Sequence, residues 1–435
     1  MEVQSNTGPG IIMTIKGVEI AEPITTKAEV TQADTNPFAS WGTNNDQPTK
    51  ILAEIEKNEV VFRANEFNKA THMGNGLIYY KPVIEGGVKR VELVQDAEID
   101  DWMEANNINY VMKSMIENYE NCGNIFPEFI MSKDRRKIAR LLSKDAAWSR
   151  WGKQNESSGL VDKHFYTSDW LNPKKENWAE TYVLNSVFPM EDLMNNTKDM
   201  NVMYRIPPIQ TNRFYYDSAS VEVLMNSGTL ELMNLNAQAL KSLMKNQMGA
   251  YWHVEITNDY FTWKYGDQEW AKIQANKSKR DKAMGEIREE IEKYLTGPES
   301  KGKIIITGCM YDRNTGKKIP GISFSSLENK IKQGDWIPEL QQYIANIFYG
   351  MGVDPSTIGV SNQGNTMNSG SEKKSAFWNT QATLFNERLI TLMPINFISR
   401  YNGWFQRGIR FGYADVDTSQ PLSENPTGRT NVIKA

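Results

Sequence analysis

Cysteine and histidine are scarce. Cys122 and Cys309 are the two cysteines, and His72, His164 and His253 the three histidines, in 435 residues. Two cysteines so far apart build neither a disulfide framework nor a Cys-rich zinc site, and a reducing compartment is the simpler expectation. No histidine has a partner at the spacing of a zinc pair, so each reads as structural or exposed rather than catalytic. The Gly-x-x-x-x-Gly-Lys-Ser/Thr phosphate loop is missing, which disfavours an ATP motor. So is the Gly-x-Ser-x-Gly nucleophile elbow. Gly350-x-Gly352 and Gly74-x-Gly76 lack the third glycine of a dinucleotide fingerprint and read as turns. No apolar run approaches the ~18 residues of a membrane span. Met1 to Asn6 has neither a charged nor an apolar leader region, so no signal peptide is expected. The chain is expected to be soluble and intracellular.

An excess of one charge is missing too. Lys and Arg total 49 against 53 Asp and Glu, for a net charge of -4. A protein that coats DNA by neutralising phosphates would be strongly basic. What remains is globular: 40% hydrophobic and 23% charged residues, enough for two to three domains at roughly 150 residues each. Twelve tryptophans favour interfaces as well as cores.

Residues 1–46 are rich in Thr, Asn, Pro and Gly and read as a loosely attached arm, in which Gly10 to Ile15 alternates like one edge strand. Order is expected from Lys50. One helix is predicted from Lys50 to Thr71. Leu77–Pro82 and Val88–Leu93 form a hairpin closed by Gly86-Gly87. A helix starting near Asp100 and Asp101 reaches Asn121, and Ile125–Met131 and Ile138–Leu142 are strands. Residues 219–248 carry apolar side chains at three- and four-residue spacing and predict one helix ~40 Å long. A small α/β insertion follows: strand Tyr251–Ile256, a charged helix from Asp267 to Leu295, and strands at Lys303–Thr307 and Gly321–Leu327. Trp336 to Gly350 is a second apolar helix. The stretch after it, 359–370, has no charged residue and reads as a flexible loop. A third long helix starts at Ser371, with Pro394 expected to kink or break it. Ile409–Tyr413 is a last strand, and 418–435 reads as a disordered tail. The fold class is α+β.

Candidate chemistry is sparse. Asp415-x-Asp417-x-Ser419 opens like a calcium loop, but Gln420 and Pro426 stand where Gly and Glu are needed. The acidic group Asp96, Glu98, Asp100 and Asp101 is explained by a helix N-terminus more simply than by a metal. Two basic groups remain. Lys133, Arg135, Arg136, Lys137 and Arg140 flank a strand. Lys272, Lys277, Lys279, Arg280 and Lys282 sit on the insertion helix, ahead of Glu286, Glu289, Glu290 and Glu292. The plain reading of the second is a solvated face or intersubunit ion pairs. The sharper one is contact with nucleic acid or a partner. No metal, cofactor or catalytic residue is assigned.

The order of elements carries more than any motif. An α+β region is followed by a long helix, a small insertion, a helix, an uncharged loop and another long helix. In this order, and in three stretches, the chain resembles the portal proteins of tailed bacteriophages. Gly302-Lys303 leads into the apolar Ile304-Ile305-Ile306. Ile337 to Phe348 precedes Gly352-Val353-Asp354-Pro355-Ser356-Thr357-Ile358-Gly359. Ser369-Gly370-Ser371 opens the amphipathic helix that ends near Pro394.

The resemblance implies a ring, usually of twelve copies, at one vertex of a capsid in the virion, made in the cytoplasm of a bacterial host. It also implies a protein that is not an enzyme, with double-stranded DNA passing through the central channel. The partners implied are the terminase, the major capsid protein and the head-tail adaptor proteins, with no membrane. By the same resemblance, 1–46 is an N-terminal arm, 47–218 a wing, 219–248 a stem helix and 249–335 a clip. Residues 336–358 are the second stem helix, 359–370 a tunnel loop, 371–402 the long kinked tunnel helix, and 403–435 the final strand and tail. The channel-lining residues implied are Asn362, Gln363, Asn365, Thr366, Asn368 and Ser369. Lys277, Lys279, Arg280 and Lys282 are the residues implied to bind partners on the clip. Between the two stem-to-loop landmarks, 336–370 holds Glu339 and Asp354 but no Lys or Arg, as suits DNA that must slide. The competing readings are a soluble intracellular enzyme and another head-completion protein.

Overall fold

The computed structural model describes residues 36–171, 173–247, 252–296, 309–311, 316, 318–326, 336–358 and 370–415. The chain divides into two units, residues 1–227 with 347–435 and residues 228–346. The expected strand at Lys303–Thr307, the loop residues 359–369 and the tail lie outside the described residues.

The first unit opens with α1 (Gln47–Lys57) and α2 (Glu59–Met73). The single helix predicted from Lys50 to Thr71 is therefore two. Asn58 divides them: its backbone is extended and its side chain accepts from the amides of Val60 and Val61, so it caps a new helix instead of continuing the old one. Next come β1 (Leu77–Glu85) and β2 (Val88–Leu93), the predicted hairpin. Glu85 pairs with Val88 across Gly86-Gly87, whose φ angles of 59° and 80° are those a tight primed turn requires. The next predicted helix is again two, α3 (Ala97–Ala105) and α4 (Ile108–Cys122). They part at Asn107, which takes the left-handed conformation at φ 47°. Asp96, not Asp100, is the N-cap of α3, accepting from the amides of Glu98 and Ile99.

Six strands then make the main sheet: β3 (Pro127–Met131), β4 (Ile138–Ser143), β5 (Ser149–Trp151), β6 (Lys163–Tyr166), β7 (Ala179–Val183) and, after α5 (Pro189–Asn195), β8 (Asn201–Met203). Their order is β4-β3-β8-β7-β6-β5. All neighbours are antiparallel except β7 and β8. The β4 edge is closed by side chains rather than by another strand. Asn402 Oδ1 accepts from the Ile138 amide, Asn106 Oδ1 from the Leu141 amide, and Trp102 Nε1 donates to the Ile138 carbonyl. Covering an edge in this way removes a template for strand addition.

The predicted helix 219–248 is α6 (Ser220–Asn226) and α7 (Thr229–Gln247). Gly228, at φ 75°, breaks it, and the Ser227 hydroxyl donates to the Leu224 carbonyl. The second unit, which starts at Gly228, then has β9 (Trp252–Ile256), α8 (Asn258–Tyr265), α9 (Asp267–Ala275) and α10 (Lys277–Thr296). The charged helix expected from Asp267 to Leu295 is broken at Asn276, which caps α10 through the amides of Ser278 and Lys279. The short strands β10 (Cys309–Tyr311), β11 (Lys318–Pro320) and β12 (Ile322–Ser326) follow, β10 pairing with β11 and β12 with β9. Helix α11 (Trp336–Gly350) has the predicted bounds.

The chain closes through α12 (Pro355–Ile358), α13 (Gly370–Thr383), α14 (Phe385–Tyr401) and β13 (Arg410–Tyr413), which pairs with β1. Pro394 does not end the last helix: it is buried inside α14. The break falls ten residues earlier, at Leu384. There the Thr380 hydroxyl bonds the Ala376 carbonyl and the Thr383 hydroxyl the Thr380 carbonyl, and such back-bonding bends helices.

The two larger cores described in the first unit stand beside a small aromatic cluster of Phe38, Phe165 and Trp170. One joins α3, α4, α14 and the sheets through Met112, Met115, Phe129, Ile395 and Ile398. The other lies around Trp41, Phe126, Trp151 and Tyr216. The second core corrects the reading of the arm. Residues 36–46 are not loose. Phe38 pairs with Gly152 on the β5 edge, the Ala39 amide donates 2.8 Å to the Trp151 carbonyl, and Trp41 stacks on Tyr216 with centroids 4.1 Å apart.

Candidate functional site

The basic residues of the insertion lie at the start of α10. Its buried side holds Ala283 and Ile287 against Phe261 and Trp270, the two rings stacked at 4.5 Å. Lys277, Lys279 and Lys282 are exposed and Arg280 is half-buried, its Nε 3.7 Å from Asp281 Oδ1. At 100° per residue the four cations circle the first turns as a collar; they do not line one face. Cations at a helix N-terminus oppose the macrodipole, so this placement does nothing for the helix itself. Farther along α10, Glu290 is held by Lys264 at 3.1 Å.

The other basic group is absorbed by structure. Arg135 donates to the carbonyls of Asn196 and Asp199. Lys137 lies 2.7 Å from Glu98 and Arg140 donates to the Ala105 carbonyl. Lys133 and Arg136 remain exposed.

Asn362, Gln363, Asn365, Thr366, Asn368 and Ser369 lie outside the described residues. The segments on either side of them are held firmly. Ile347, Phe348, Met351 and Val353 are buried where α11 ends. Asn68 Nδ2 donates 2.9 Å to the Met351 carbonyl. A Cβ on Gly350 would meet Leu224 Cδ2 at 2.6 Å, so any larger residue here would push the Leu224 side chain of α6 aside. Asp354 caps α12 through the Ser356 amide at 2.9 Å. On the far side, Ala376 and Thr380 of α13 are buried.

One arrangement has the order of a hydrolytic triad. His72 Nδ1 lies 2.7 Å from Glu120 Oε1, and His72 Nε2 lies 2.8 Å from Thr391 Oγ1. A triad needs its hydroxyl open to substrate. Here His72 and Thr391 are both fully buried, and Thr391 Oγ1 also accepts from Tyr413 at 3.0 Å. The chain of bonds ties α2, α4, α14 and β13 together. Burial holds the neighbouring Glu387 carboxyl above the usual carboxylate range. Cys122 is likewise buried, its thiol pushed up to about 12 by desolvation, the opposite of an activated nucleophile. Among the described residues no group of His, Cys, Asp and Glu is placed to hold a metal ion, and no helix is long and apolar enough to cross a membrane.

His164 is the most unusual titratable group. It is buried among Phe126, Trp151 and Tyr166, and neither ring nitrogen has a hydrogen-bond partner among the described residues. Burial first, and the Lys144 charge second, lower its pKa to about 3. In the unfolded chain it would titrate near 6.5. The unfolded state therefore takes up a proton between about 6.5 and 3 while the native state does not, and stability falls as pH drops through that window. His164→Phe should flatten this part of the stability–pH profile, by on the order of a few kcal/mol at the acid end. Denaturant melts at pH 7 and pH 4.5 check it.

Sequence reasoning missed the anchor built on Arg150. Its Nε and Nη2 donate to the side chain and the backbone carbonyl of Asn45, at 2.5 and 2.7 Å. Its Nη1 donates to the carbonyls of Ala147 and Ser149. Its guanidinium lies 4.8 Å from the Trp170 ring and 5.6 Å from that of Trp41. The available signal was the aromatic density of Phe38-Ala39-Ser40-Trp41, which is unusual for a loose arm.

No protein-family model matches the chain, and a comparison with curated proteins finds no match. Solved structures do match. A chain in the virion of a native gene transfer agent particle aligns at TM-score 0.55 and 13% identity, covering 89% of this chain and 88% of that one. A chain in the neck of the empty particle, computed with C6 symmetry, aligns at 0.52 and 14%, covering 88% and 87%. One in the neck of the native particle, computed with C12 symmetry, aligns at 0.53 and 13% over the same shares. At such identities the likeness is one of fold, and it runs nearly end to end: this chain has the fold of chains in the virion and the neck of a gene transfer agent particle.

Proposed function

We propose that the chain is a portal protein: a non-enzymatic ring at one capsid vertex of a virion through which double-stranded DNA enters and leaves. The near-complete fold match to a chain in a particle neck computed with C12 symmetry carries this reading. A cyclic ring needs two different faces per subunit. In this reading residues 47–218 form the wing, against the major capsid protein. Residues 359–370 face the DNA, and the clip, 249–335, receives the terminase and later the head-tail adaptor. Electron microscopy of the purified chain beside its mass by light scattering tests it. Rings with a central hole and a mass near twelve subunits are expected; a monomer at every salt and protein concentration, and in particles, overturns it.

The collar on α10 supplies the docking charge of the clip. Reversal of Lys277, Lys279 and Arg280 to Glu should abolish binding of the motor or adaptor while leaving the melting temperature no lower, because acids at a helix N-terminus are favourable. Pull-down and thermal melts on the same variant measure both. Undiminished docking would return the collar to a solvated helix end.

A further inference from the structure

The sheet of β13, β1 and β2 carries apolar side chains on both faces, with Lys81, Arg90 and Glu92 on the inner face beyond the core. Its inner face buries Leu77, Tyr79, Phe411 and Tyr413 in the core. Antiparallel sheets that are covered on one side turn polar residues to water on the other. Here the outer face carries Ile84, Val91 and Leu93, which are 73%, 63% and 47% exposed, with Pro82 paired to Val91 and Tyr80 to Leu93. Among the described residues β2 is also the edge of this sheet, with β1 as its one strand neighbour. An exposed edge beside an exposed apolar face is a surface built for an occupant.

The chain carries a fitting segment. Thirty-five residues precede Asn36, the first described residue, and they join the first unit at the β5 edge, where Phe38 pairs with Gly152. Within them Ile11, Met13 and Ile15 alternate with Ile12, Thr14 and Lys16. One side matches the apolar outer face. The other brings Lys16 to the side of the sheet that holds Arg90 and Glu92. Twenty residues of extended chain reach ~65–70 Å, against roughly 50 Å across a compact unit of this size, so the segment can reach β2 of its own chain or of a neighbouring copy. We propose that Gly10–Ile15 docks as a strand on the edge of β2 and extends the apolar outer face of this sheet.

Hydrogen exchange of the β2 amides tests the docking. Three proteins are compared: the full chain, a chain lacking residues 2–30, and the full chain with Ile11, Met13 and Ile15 each changed to Asp. Exchange across 88–93 should be about tenfold faster in both altered forms, with β3 and β8 unchanged. The Asp variant keeps the test valid if the truncation fails to fold. Equal β2 exchange in the full chain and the Asp variant, whether slow or fast, overturns the proposal. Oxidation of a Met13→Cys, Val91→Cys chain gives the second readout. A disulfide within one chain or between two supports docking and says whose strand it is; no disulfide overturns it.

Discussion

Arg150→Ala should destabilise the first unit by about 3–5 kcal/mol, the upper range for truncating a large buried side chain whose loss also leaves buried acceptors unsatisfied. Arg150 is 1% exposed, and no carboxylate among the described residues pairs with it. Carbonyl oxygens and two tryptophan faces solvate the guanidinium instead, and burial lowers its pKa to about 10. Removing the side chain leaves the Asn45 carbonyl, and those of Ala147 and Ser149, without this donor. It also opens a space between Trp41 and Trp170. Both effects count, because unsatisfied buried acceptors and cavities each destabilise. Arg150→Met separates them: it fills most of the space and leaves the acceptors unsatisfied, so its loss should be smaller than that of Ala by the cavity share. The disruption should be directional. Residues 36–46 should become accessible to protease before the six-stranded sheet melts, since Asn45 is the point at which the guanidinium holds them. Limited proteolysis with mass mapping, beside denaturant melts, reads both. Cleavage that starts in the sheet would mean that Arg150 supports β5 and not the segment before α1.

The pattern of what was legible follows from the same local chemistry. Hydrophobic periodicity found the longer helical stretches, passed over α5 and α8, and ran too far in each long one except α11. Asn58, Asn107 and Asn276 each interrupt a helix while the apolar spacing carries on in register, so counting apolar positions passes over them. What stops the helix is a polar side chain that caps the next one, or a residue that tolerates the left-handed conformation. Pro394 misled in the opposite direction. Its missing amide is tolerated inside α14, while two threonines that bond back to their own helix mark the break at Leu384. The hairpin at Gly86-Gly87 was legible because two consecutive glycines with positive φ have few other uses. The functional residues were less so. The collar on α10 was visible as charge, but only the cap at Asn276 shows that these cations crowd a helix start. The Arg150 anchor joins residues more than 100 positions apart, and no local pattern in sequence records such a pair.

Removing residues 362–368 should leave rings intact and reduce retained DNA to background. The proposed DNA-facing segment carries no charge between 359 and 370, and its two flanks have packing of their own: Met351 against Asn68 on one side, Ala376 and Thr380 buried on the other. Assembly therefore should not sense the deletion. The converse change is the sharper test of why the segment is uncharged. Asn365→Lys adds one cation per copy, and in a ring every copy presents it to the same duplex. Each phosphate neutralised adds about 0.9 to the slope of log affinity against log salt, so even a few simultaneous contacts make DNA binding strongly salt-dependent. The variant ring should hold DNA at low salt, slow its passage, and release it as salt rises; the unaltered ring should show little of this. Packaging rate and ring–DNA binding across a salt series check it. If Asn365→Lys leaves both unchanged while the deletion breaks the rings, residues 359–370 face a neighbouring subunit and not DNA, and another segment must line the channel.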